Sequence, residues 1–358
     1  MPRTSPLHET HVSAGATFVE ADGWSMPASF EDVATEYEAL RSGAALLDLS
    51  SRAKLRVCGA DRVRFLQNML TNDIQSLRPG HGCRAAKLTV QGRMEAGLHV
   101  LCLAGEIWCD LGPGPAEQMV AGLRKRIILE DALIEDVTDA WALLAVQGPA
   151  AAAALEAVGV DVVSLQEELQ HGDATISGMD VRVVCSDHSG EGGFDIWVRA
   201  QQATSVWQAI LSGSSGVRPA GVEALDVRRI EAGIPWHGRE ITPERFPQEI
   251  GLDEGWISYT KGCYLGQETI SRIHHMGHVN RHLRGFLLDG AALPARGSAL
   301  FVQDTNVGEL TSTTRSPQLG RPVALGYVRR EFASPSTAVE VGDGAERGRA
   351  EVTSLPLA

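Results

Sequence analysis

The feature that most constrains the fold is a change of sequence pattern near residue 281. Before it, amphipathic segments with a helical period, such as 60–72, are mixed with short strand-like segments such as 53–58. After it, short apolar runs are separated by Gly, Pro, Ser and Thr, and no helical period is sustained. The first pattern lacks strict βαβ alternation and indicates an α+β fold, whereas the second indicates a small β-barrel.

Composition narrows the classes of protein to which the chain can belong. With 358 residues, it is long enough for two or three domains. Its formal net charge of −13 disfavours direct binding of nucleic acid or of an anionic membrane. The N-terminal segment has no secretory pattern, and no apolar run is long enough for a bilayer, so we expect a cytoplasmic protein without membrane contact.

Residues 261–268, KGCYLGQE, contain the most informative cysteine of the sequence. Cys263 follows Lys261 closely and lies between Gly262 and Gly266 in a segment predicted to be a loop. Because a nearby ammonium group stabilises a thiolate, these residues suggest an exposed, reactive thiol. The alternative is a buried, inert cysteine, which we expect for the cysteines in strand-like runs, namely Cys102, Cys109 and Cys185.

Several segments together carry a resemblance that covers nearly the whole chain. They are DGWSMPASF near Trp24, LLAVQGP at 143–149, SGEGGFDIWV at 189–198, ALDVRRIEAGIP at 224–235, and VGELTST with SPQLGRPVALGYVRRE near the C-terminus. They resemble the glycine cleavage T-protein (aminomethyltransferase) superfamily. The motif KGC-aromatic-x-GQE resembles its YgfZ-type folate-binding branch, and its matching residues are Lys261, Gly262, Cys263, Tyr264, Gly266, Gln267 and Glu268.

The resemblance implies a three-domain ring of α+β class. A split folate-binding α+β domain would comprise residues 1–54 and 140–281. Residues 55–139 would form an inserted, ferredoxin-like α+β domain, and residues 282–358 a C-terminal β-barrel.

The resemblance also implies tetrahydrofolate as the cofactor. A folate needs apolar walls for its pterin, a carboxylate for the amide-and-amine edge of the ring, and a cation for its glutamate tail. Glu191 matches the T-protein glutamate at the pterin edge, and Arg229 matches an arginine that lines the pocket. The alternatives are a solvated loop carboxylate for Glu191, and for Arg229 a structural ion pair with Glu231 or a neighbouring acid.

One match is incomplete at the position that carries the T-protein's chemistry. Aminomethyl transfer needs a carboxylate close to the folate nitrogens, and the T-protein supplies it from a GG-x-x-DD segment. Here the matching segment is 91–96, where Glu95 is the one remaining acid and Ala96 occupies the other position. The T-protein's folate-contacting asparagine has no clear counterpart, and Asp110 is the nearest polar residue.

Three functions remain open at this point. The main hypothesis is a YgfZ-like protein that assists iron–sulfur cluster assembly or repair through Cys263 and Lys261, with iron–sulfur proteins or their assembly factors as partners and an indirect link to tRNA modification. The alternative is a folate-dependent aminomethyltransferase in which Glu95 assists. A non-catalytic folate-binding module is the third.

No metal site is predicted from the histidine-rich segment that follows the motif. His274, His278 and His282 recur at four-residue spacing, but only a helix would align them, and Gly277 argues against a helix there. We therefore expect these side chains to line a polar surface.

Overall fold

The computed structural model describes residues 1–113, 116–342 and 347–358. The N-terminal part comprises β1 (Arg3–Thr4), α1 (His8–Ser13), β2 (Thr17–Ala21), β3 (Trp24–Ser29), α2 (Val33–Ser42) and β4 (Ala44–Asp48). Helix α2 begins where the Asp32 carboxylate accepts a hydrogen bond from the Thr35 amide at 2.9 Å. Strands β1, β3 and β2 form a small sheet in that order.

The next part of the chain folds around an antiparallel sheet. Its elements are β5 (Arg52–Cys58), α3 (Arg62–Met69), β6 (His81–Leu88), β7 (Met94–Cys102), β8 (Ile107–Pro113), α4 (Ala116–Arg124) and β9 (Leu133–Asp136). Among the described residues the strand order is β6-β7-β8-β5-β9. Inward side chains of the strands and of both helices form one core. The chain break predicted at 112–115 falls partly outside the described residues.

The third part completes a second sheet with β4. Its elements are β10 (Trp141–Gln147), α5 (Ala151–Ala157), β11 (His171–Ile176), β12 (Met179–Cys185), β13 (Gly193–Arg199), α6 (Ala203–Gly213), β14 (Val217–Pro219), α7 (Val222–Ala232), α8 (Pro247–Ile250) and α9 (Gln267–Met276). The order is β11-β12-β13-β10-β4-β14, with β14 parallel to β4. Helices α5 and α6 pack in a core with this sheet.

The C-terminal part is a closed barrel. Its strands are β15 (Arg281–Leu288), β16 (Ala299–Val302), β17 (Thr305–Ser316), β18 (Arg321–Arg329), β19 (Ala338–Val341) and β20 (Gly348–Thr353). Within the described residues the order is β15-β18-β17-β16-β19-β20, and pairing of β15 with β20 closes the sheet. The predicted α+β class with a C-terminal barrel is confirmed, while the domain boundaries remain predictions.

Two further observations correct or limit the sequence-based expectations. The loop expected through 261–268 ends at Gly266, because α9 begins at Gln267 and contains His274 and His275. Gly277 ends this helix rather than preventing it, so the expectation of a non-helical segment is wrong up to Met276, whereas His278 and His282 lie outside the helix and are not aligned with His274 by it. In the described part of the chain, no helix is long and apolar enough to span a bilayer.

Candidate functional site

A cavity of about 250 Å³, here called the central cavity, lies between the five-stranded sheet and the segment that follows α7. Its charged and histidine lining consists of Arg52, Arg84, His99, Asp187, His188 and His237. Its apolar lining includes Ile234, Trp236, Leu252 and Trp256. Flat apolar walls and a few charged groups are the usual composition of a small-molecule site.

Strand β7 forms one wall of this cavity. Alternate side chains of a strand point to opposite faces, so Ala96 and Leu98 pack in the core while Gly97 and His99 line the cavity. A Cβ added to Gly97 would lie 2.9 Å from the Trp256 ring. Glycine at this position therefore lets Trp256 approach the strand closely and form part of the wall.

Glu95, the carboxylate predicted to assist transfer, does not line this cavity. Its side chain forms an ion pair with the Lys87 ammonium and is 38% exposed. The other position of the incomplete match, Ala96, is fully buried in the core. Neither matched position therefore places a carboxylate in the cavity.

A buried ion pair lies behind the cavity wall. Arg52 donates from Nε to Asp110 Oδ1 at 2.8 Å and from Nη2 to Oδ2 at 2.7 Å. Burial opposes ionisation of Asp110, but the charge and hydrogen bonds of Arg52 together with the contact from His99 outweigh burial and hold the pKa of this carboxyl well below its usual range. His99 Nδ1 lies 3.3 Å from Asp110 Oδ2, and burial lowers the pKa of the His99 ring. His99 is therefore neutral near pH 7.

A second histidine is paired with a carboxylate at the same cavity. His188 Nε2 lies 2.9 Å from Asp195 Oδ1 and 3.1 Å from Oδ2. The His188 backbone amide donates to the Gln147 side-chain oxygen at 2.8 Å, which fixes the loop that follows β12. The His188 and His99 rings lie 6.2 Å apart, centre to centre. Two histidine–aspartate pairs thus meet in one buried, polar region.

This region contains residue types that bind metal ions, but its carboxylate oxygens already accept hydrogen bonds from protein groups. Ligand atoms of His99, Asp110 and Asp195 lie within 4.8 Å of one another. However, both oxygens of Asp110 accept hydrogen bonds from Arg52, and Asp195 is engaged by His188. We therefore assign no metal to it.

The two residues predicted to bind folate lie beside the cavity rather than in its wall. Glu191 accepts a hydrogen bond from Arg228 Nη2 at 2.6 Å, and 33% of its side chain is exposed. Its neighbours Asp187 and His188, from the same loop, line the cavity. For Glu191, a folate contact would require this pair to separate or the ligand to extend past the loop.

Arg229 is accounted for by buried ion pairs. Its side chain is fully buried, and all three of its guanidinium nitrogens donate to protein atoms. Nε contacts Asp226 at 2.6 Å, Nη1 contacts Glu240 at 3.0 Å, and Nη2 contacts Ser312 of the barrel at 2.7 Å. The structural alternative, a pair with a neighbouring acid, therefore describes Arg229, although the acids are Asp226 and Glu240 rather than Glu231.

In the motif at 261–268, the lysine has a structural role. Lys261 Nζ donates to the backbone carbonyls of Gln67, Leu70 and Asn72 at 2.6, 2.8 and 2.6 Å. Burial lowers the pKa of Lys261 to about 8. The ammonium thus satisfies carbonyls at the C-terminal end of α3 and is not directed at Cys263, which corrects the predicted lysine–cysteine pair.

Most other motif residues also have structural contacts. Tyr264 is buried, and its backbone amide donates to the Gln267 side-chain oxygen at 3.3 Å. Gly266 has φ +84°, and a Cβ there would lie 2.5 Å from the Thr89 carbonyl. By contrast, Cys263 and Glu268 are exposed, whereas the other five cysteines are buried or half-buried. The predicted exposure of Cys263 is confirmed.

Comparison with known proteins agrees with this architecture. Residues 7–258 match the GCVT N-terminal domain, and residues 281–358 match the glycine cleavage T-protein C-terminal barrel domain. An aminomethyltransferase of Saccharopolyspora erythraea is 30% identical over 99% of this chain and 98% of its own length. One of Rubrobacter xylanophilus is 31% identical over 92% of this chain and 88% of its own.

A solved structure extends the likeness to three dimensions. The crystal structure of the glycine cleavage system aminomethyltransferase T from Bartonella henselae superposes with a TM-score of 0.91 at 27% identity, and covers 100% of this chain and 98% of that one. Fold and cavity thus define an α+β protein with a C-terminal β-barrel and a cavity lined by polar and aromatic side chains. The chain belongs to the glycine cleavage T-protein family. These relatives are named aminomethyltransferase, so they support the alternative hypothesis of an aminomethyltransferase more than the YgfZ-type branch.

Proposed function

We propose that this protein is a tetrahydrofolate-dependent one-carbon transferase of the aminomethyltransferase type, with the folate in the central cavity. The observation that carries the proposal is the lining of that cavity. Trp236 and Trp256 offer apolar walls for a pterin, Asp187 a carboxylate for its amide-and-amine edge, and Arg84 a cation. These side chains are of the three kinds that a folate needs, although they are not Glu191 and Arg229.

The size and charge of the cavity suggest how a folate would lie. Pockets for drug-sized ligands span roughly 300–1,000 Å³, so about 250 Å³ suits the pterin end better than the whole molecule. The Arg84 side chain is 34% exposed and pairs with Glu168, so it lies near the mouth. The glutamate tail would then leave the cavity past Arg84.

Calorimetric titration with tetrahydrofolate tests the ligand and its location. Asp187→Asn and Arg84→Ala should both weaken binding, each by about tenfold or more, because a charge-assisted hydrogen bond contributes about 1.5–3 kcal/mol. Exposed residues outside the cavity, altered in Asp180→Asn and Arg218→Ala, serve as matched controls. Binding that depends on Glu191 and not on Asp187 would contradict this placement of the pterin.

Adding an aminomethyl carrier protein to the same samples tests the reaction. Formation of methylene-tetrahydrofolate by the wild type is the expected result. Tetrahydrofolate binding without any product at high carrier concentration would remove the transferase proposal and retain a folate-binding protein.

A second candidate is the iron–sulfur accessory role, which the exposure of Cys263 favours. Within a motif whose other members mostly hold the fold together, this thiol is free to react with a partner. A thiol-reactive probe should label Cys263 faster than the buried cysteines in the native protein. Cys263→Ser should then abolish support of iron–sulfur enzymes while tetrahydrofolate binding is retained. Equal labelling rates for Cys263 and the buried cysteines would end this candidate.

A further inference from the structure

Two histidine–aspartate pairs lie at the cavity, and the pair of His188 and Asp195 has no role in the function described so far. We propose that His188, oriented by Asp195, accepts the proton that a folate nitrogen loses during transfer. It would replace the carboxylate of the GG-x-x-DD segment, which this chain does not place in the cavity. The inference rests on the proposed transferase function and assigns a catalytic residue to it.

The geometry leaves one nitrogen of the ring available. Because Nε2 lies within hydrogen-bond distance of both Asp195 oxygens, it carries the proton and donates to the carboxylate. Nδ1 then has a free lone pair, and among the described residues it has no hydrogen-bond partner. Asp195 is 2% exposed and fixed in β13, so the ring is held in one tautomer beside the ligand space.

The other carboxylates that could act as the base are already engaged. Glu95 is paired with Lys87 outside it, and Asp110 binds Arg52 through both oxygens. Asp187 accepts hydrogen bonds from the amides of the turn that follows it, at 2.9 and 2.8 Å. Both contacts are to Oδ1, and the other oxygen is the one assigned to the pterin edge.

The surroundings of the two histidines also favour His188 over His99. The titratable groups in or directly behind this part of the cavity, besides the two rings, are Asp195, Asp110, Asp187, Arg52, Arg84 and His237. Asp195, the partner of His188, orients the ring, whereas Asp110, the partner of His99, is bound by Arg52 through both oxygens. Burial lowers the pKa of the His99 ring, with Asp110 acting against this effect and Arg52 and Arg84 adding to it.

The proposed step conserves atoms and electrons. The donor is an aminomethyl group bonded to a carrier thiol, S–CH2–NH2. The S–C and C–NH2 bonds break, bonds from carbon to both folate nitrogens form, and the carrier thiol and ammonia are released. Of the two protons lost by the folate nitrogens, one is accepted by His188 Nδ1 and passed to the departing amine, and the other ends on the thiol.

Kinetics of two variants test the assignment. His188→Gln should retain tetrahydrofolate binding but reduce kcat by about 10²–10⁴-fold, the usual contribution of a general base. Asp195→Asn should also bind but lower kcat, because the ring loses the carboxylate that fixes its tautomer. His171, which is hydrogen-bonded to Arg182 outside the cavity, provides the control His171→Gln.

Nitrogen NMR of histidine-labelled protein gives a readout that is independent of turnover. The His188 signals are assigned by their loss in His188→Gln. We expect a protonated Nε2, and an Nδ1 signal that moves when tetrahydrofolate is added. An unmoved Nδ1 signal, or full turnover by His188→Gln, overturns the inference and leaves the transferase intact. If the wild type forms no product, the proposed transferase function is refuted, and the proton transfer to His188 with it.

Discussion

At the scale of single residues, the buried pair of Arg52 and Asp110 organises one wall of the site. The Arg52 and Asp110 side chains are 11% and 3% exposed, and the contact is bidentate. A buried charge is tolerated here because a partner of opposite charge is hydrogen-bonded to it. Removing one partner leaves the other buried and unpaired.

Replacing Asp110 by Asn should therefore destabilise the protein strongly. We expect a loss of about 3–5 kcal/mol in the free energy of unfolding, the usual effect of breaking a buried ion pair. Urea unfolding followed by tryptophan fluorescence measures it. The exposed pair of Arg218 and Glu31 is the control, and Glu31→Gln should change stability by about 1 kcal/mol or less.

The same pair predicts the direction of a pH dependence. Because the pKa of Asp110 is lower in the folded protein than in the unfolded chain, its stabilisation is present above the unfolded value of about 3.9 and is lost at lower pH. The difference in unfolding free energy between wild type and Asp110→Asn should therefore narrow as the pH falls below about 4. A difference that stayed constant down to the acid transition would contradict this assignment.

Side-chain direction explains which site residues could be predicted from sequence. The segments 189–198 and 224–235 were identified, but the cavity is lined by their neighbours Asp187 and Trp236 rather than by Glu191 and Arg229. Contacts with Arg228, from a helix distant in sequence, set the direction of Glu191. Alternation along β7 was a signal in the sequence that could have identified His99 as facing away from the core.

At the scale of elements, the motif at 261–268 joins α3 to α9. Lys261 satisfies carbonyls at the end of α3, and the Leu265 amide donates to the Asn68 carbonyl at 3.0 Å. The segment thus ties the five-stranded sheet to the helix that precedes the barrel. This structural role accounts for most of the motif without reference to chemistry.

Replacing Lys261 by Met should loosen this junction, whereas Cys263→Ser should not. Loss of the ammonium leaves three carbonyls without their donor, and we expect a cost on the order of 1–3 kcal/mol. Thermal unfolding of both variants measures the contrast. If Cys263→Ser proved as destabilising as Lys261→Met, Cys263 would be part of the structural junction rather than a free thiol.

Lys261 also predicts a pH effect in the alkaline range. Its folded pKa of about 8 lies below the unfolded value of about 10.4, so the unfolded chain binds more protons between these values. The stability of the wild type relative to Lys261→Met should therefore rise as the pH increases from about 8 to about 10. Urea midpoints measured across this range test the sign.

Elements with regular patterns were predicted from sequence more completely than those without them. The strand β5 and the helix α3 were identified because the apolar side chains alternate along 53–58 and recur with a helical period along 60–72. Strand β4 was missed because it lies between β10 and β14 and is buried along its whole length, so it shows no alternation. Helix α9 was missed because Gly277 was taken to exclude a helix that it only ends.

At the scale of the whole molecule, the central cavity depends on contacts between separate parts of the chain. The five-stranded sheet supplies Arg84 and His99, and the segment after α7 supplies Trp236. Arg229 links α7 to the barrel through Ser312, and the Tyr327 hydroxyl donates to the Glu240 carbonyl at 2.7 Å. A ligand bound in the cavity should therefore stabilise the assembled protein rather than one part of it.

Tetrahydrofolate should raise the stability of the protein through this linkage. At a free concentration of about 100 times Kd, the expected gain in unfolding free energy is about 2.7 kcal/mol, because only the folded protein binds. Thermal unfolding with and without ligand measures it. At the same ligand concentration Asp187→Asn should show a smaller shift, while the control Asp180→Asn should match the wild type.

The most direct test of a folate site in the central cavity is a crystal structure of the protein with tetrahydrofolate bound. We expect the pterin against Trp256, with its amide-and-amine edge at Asp187, His188 Nδ1 facing a folate nitrogen and the glutamate tail passing Arg84. A cavity that stays empty at saturating tetrahydrofolate, or a pterin bound elsewhere on the protein, would contradict the proposed site.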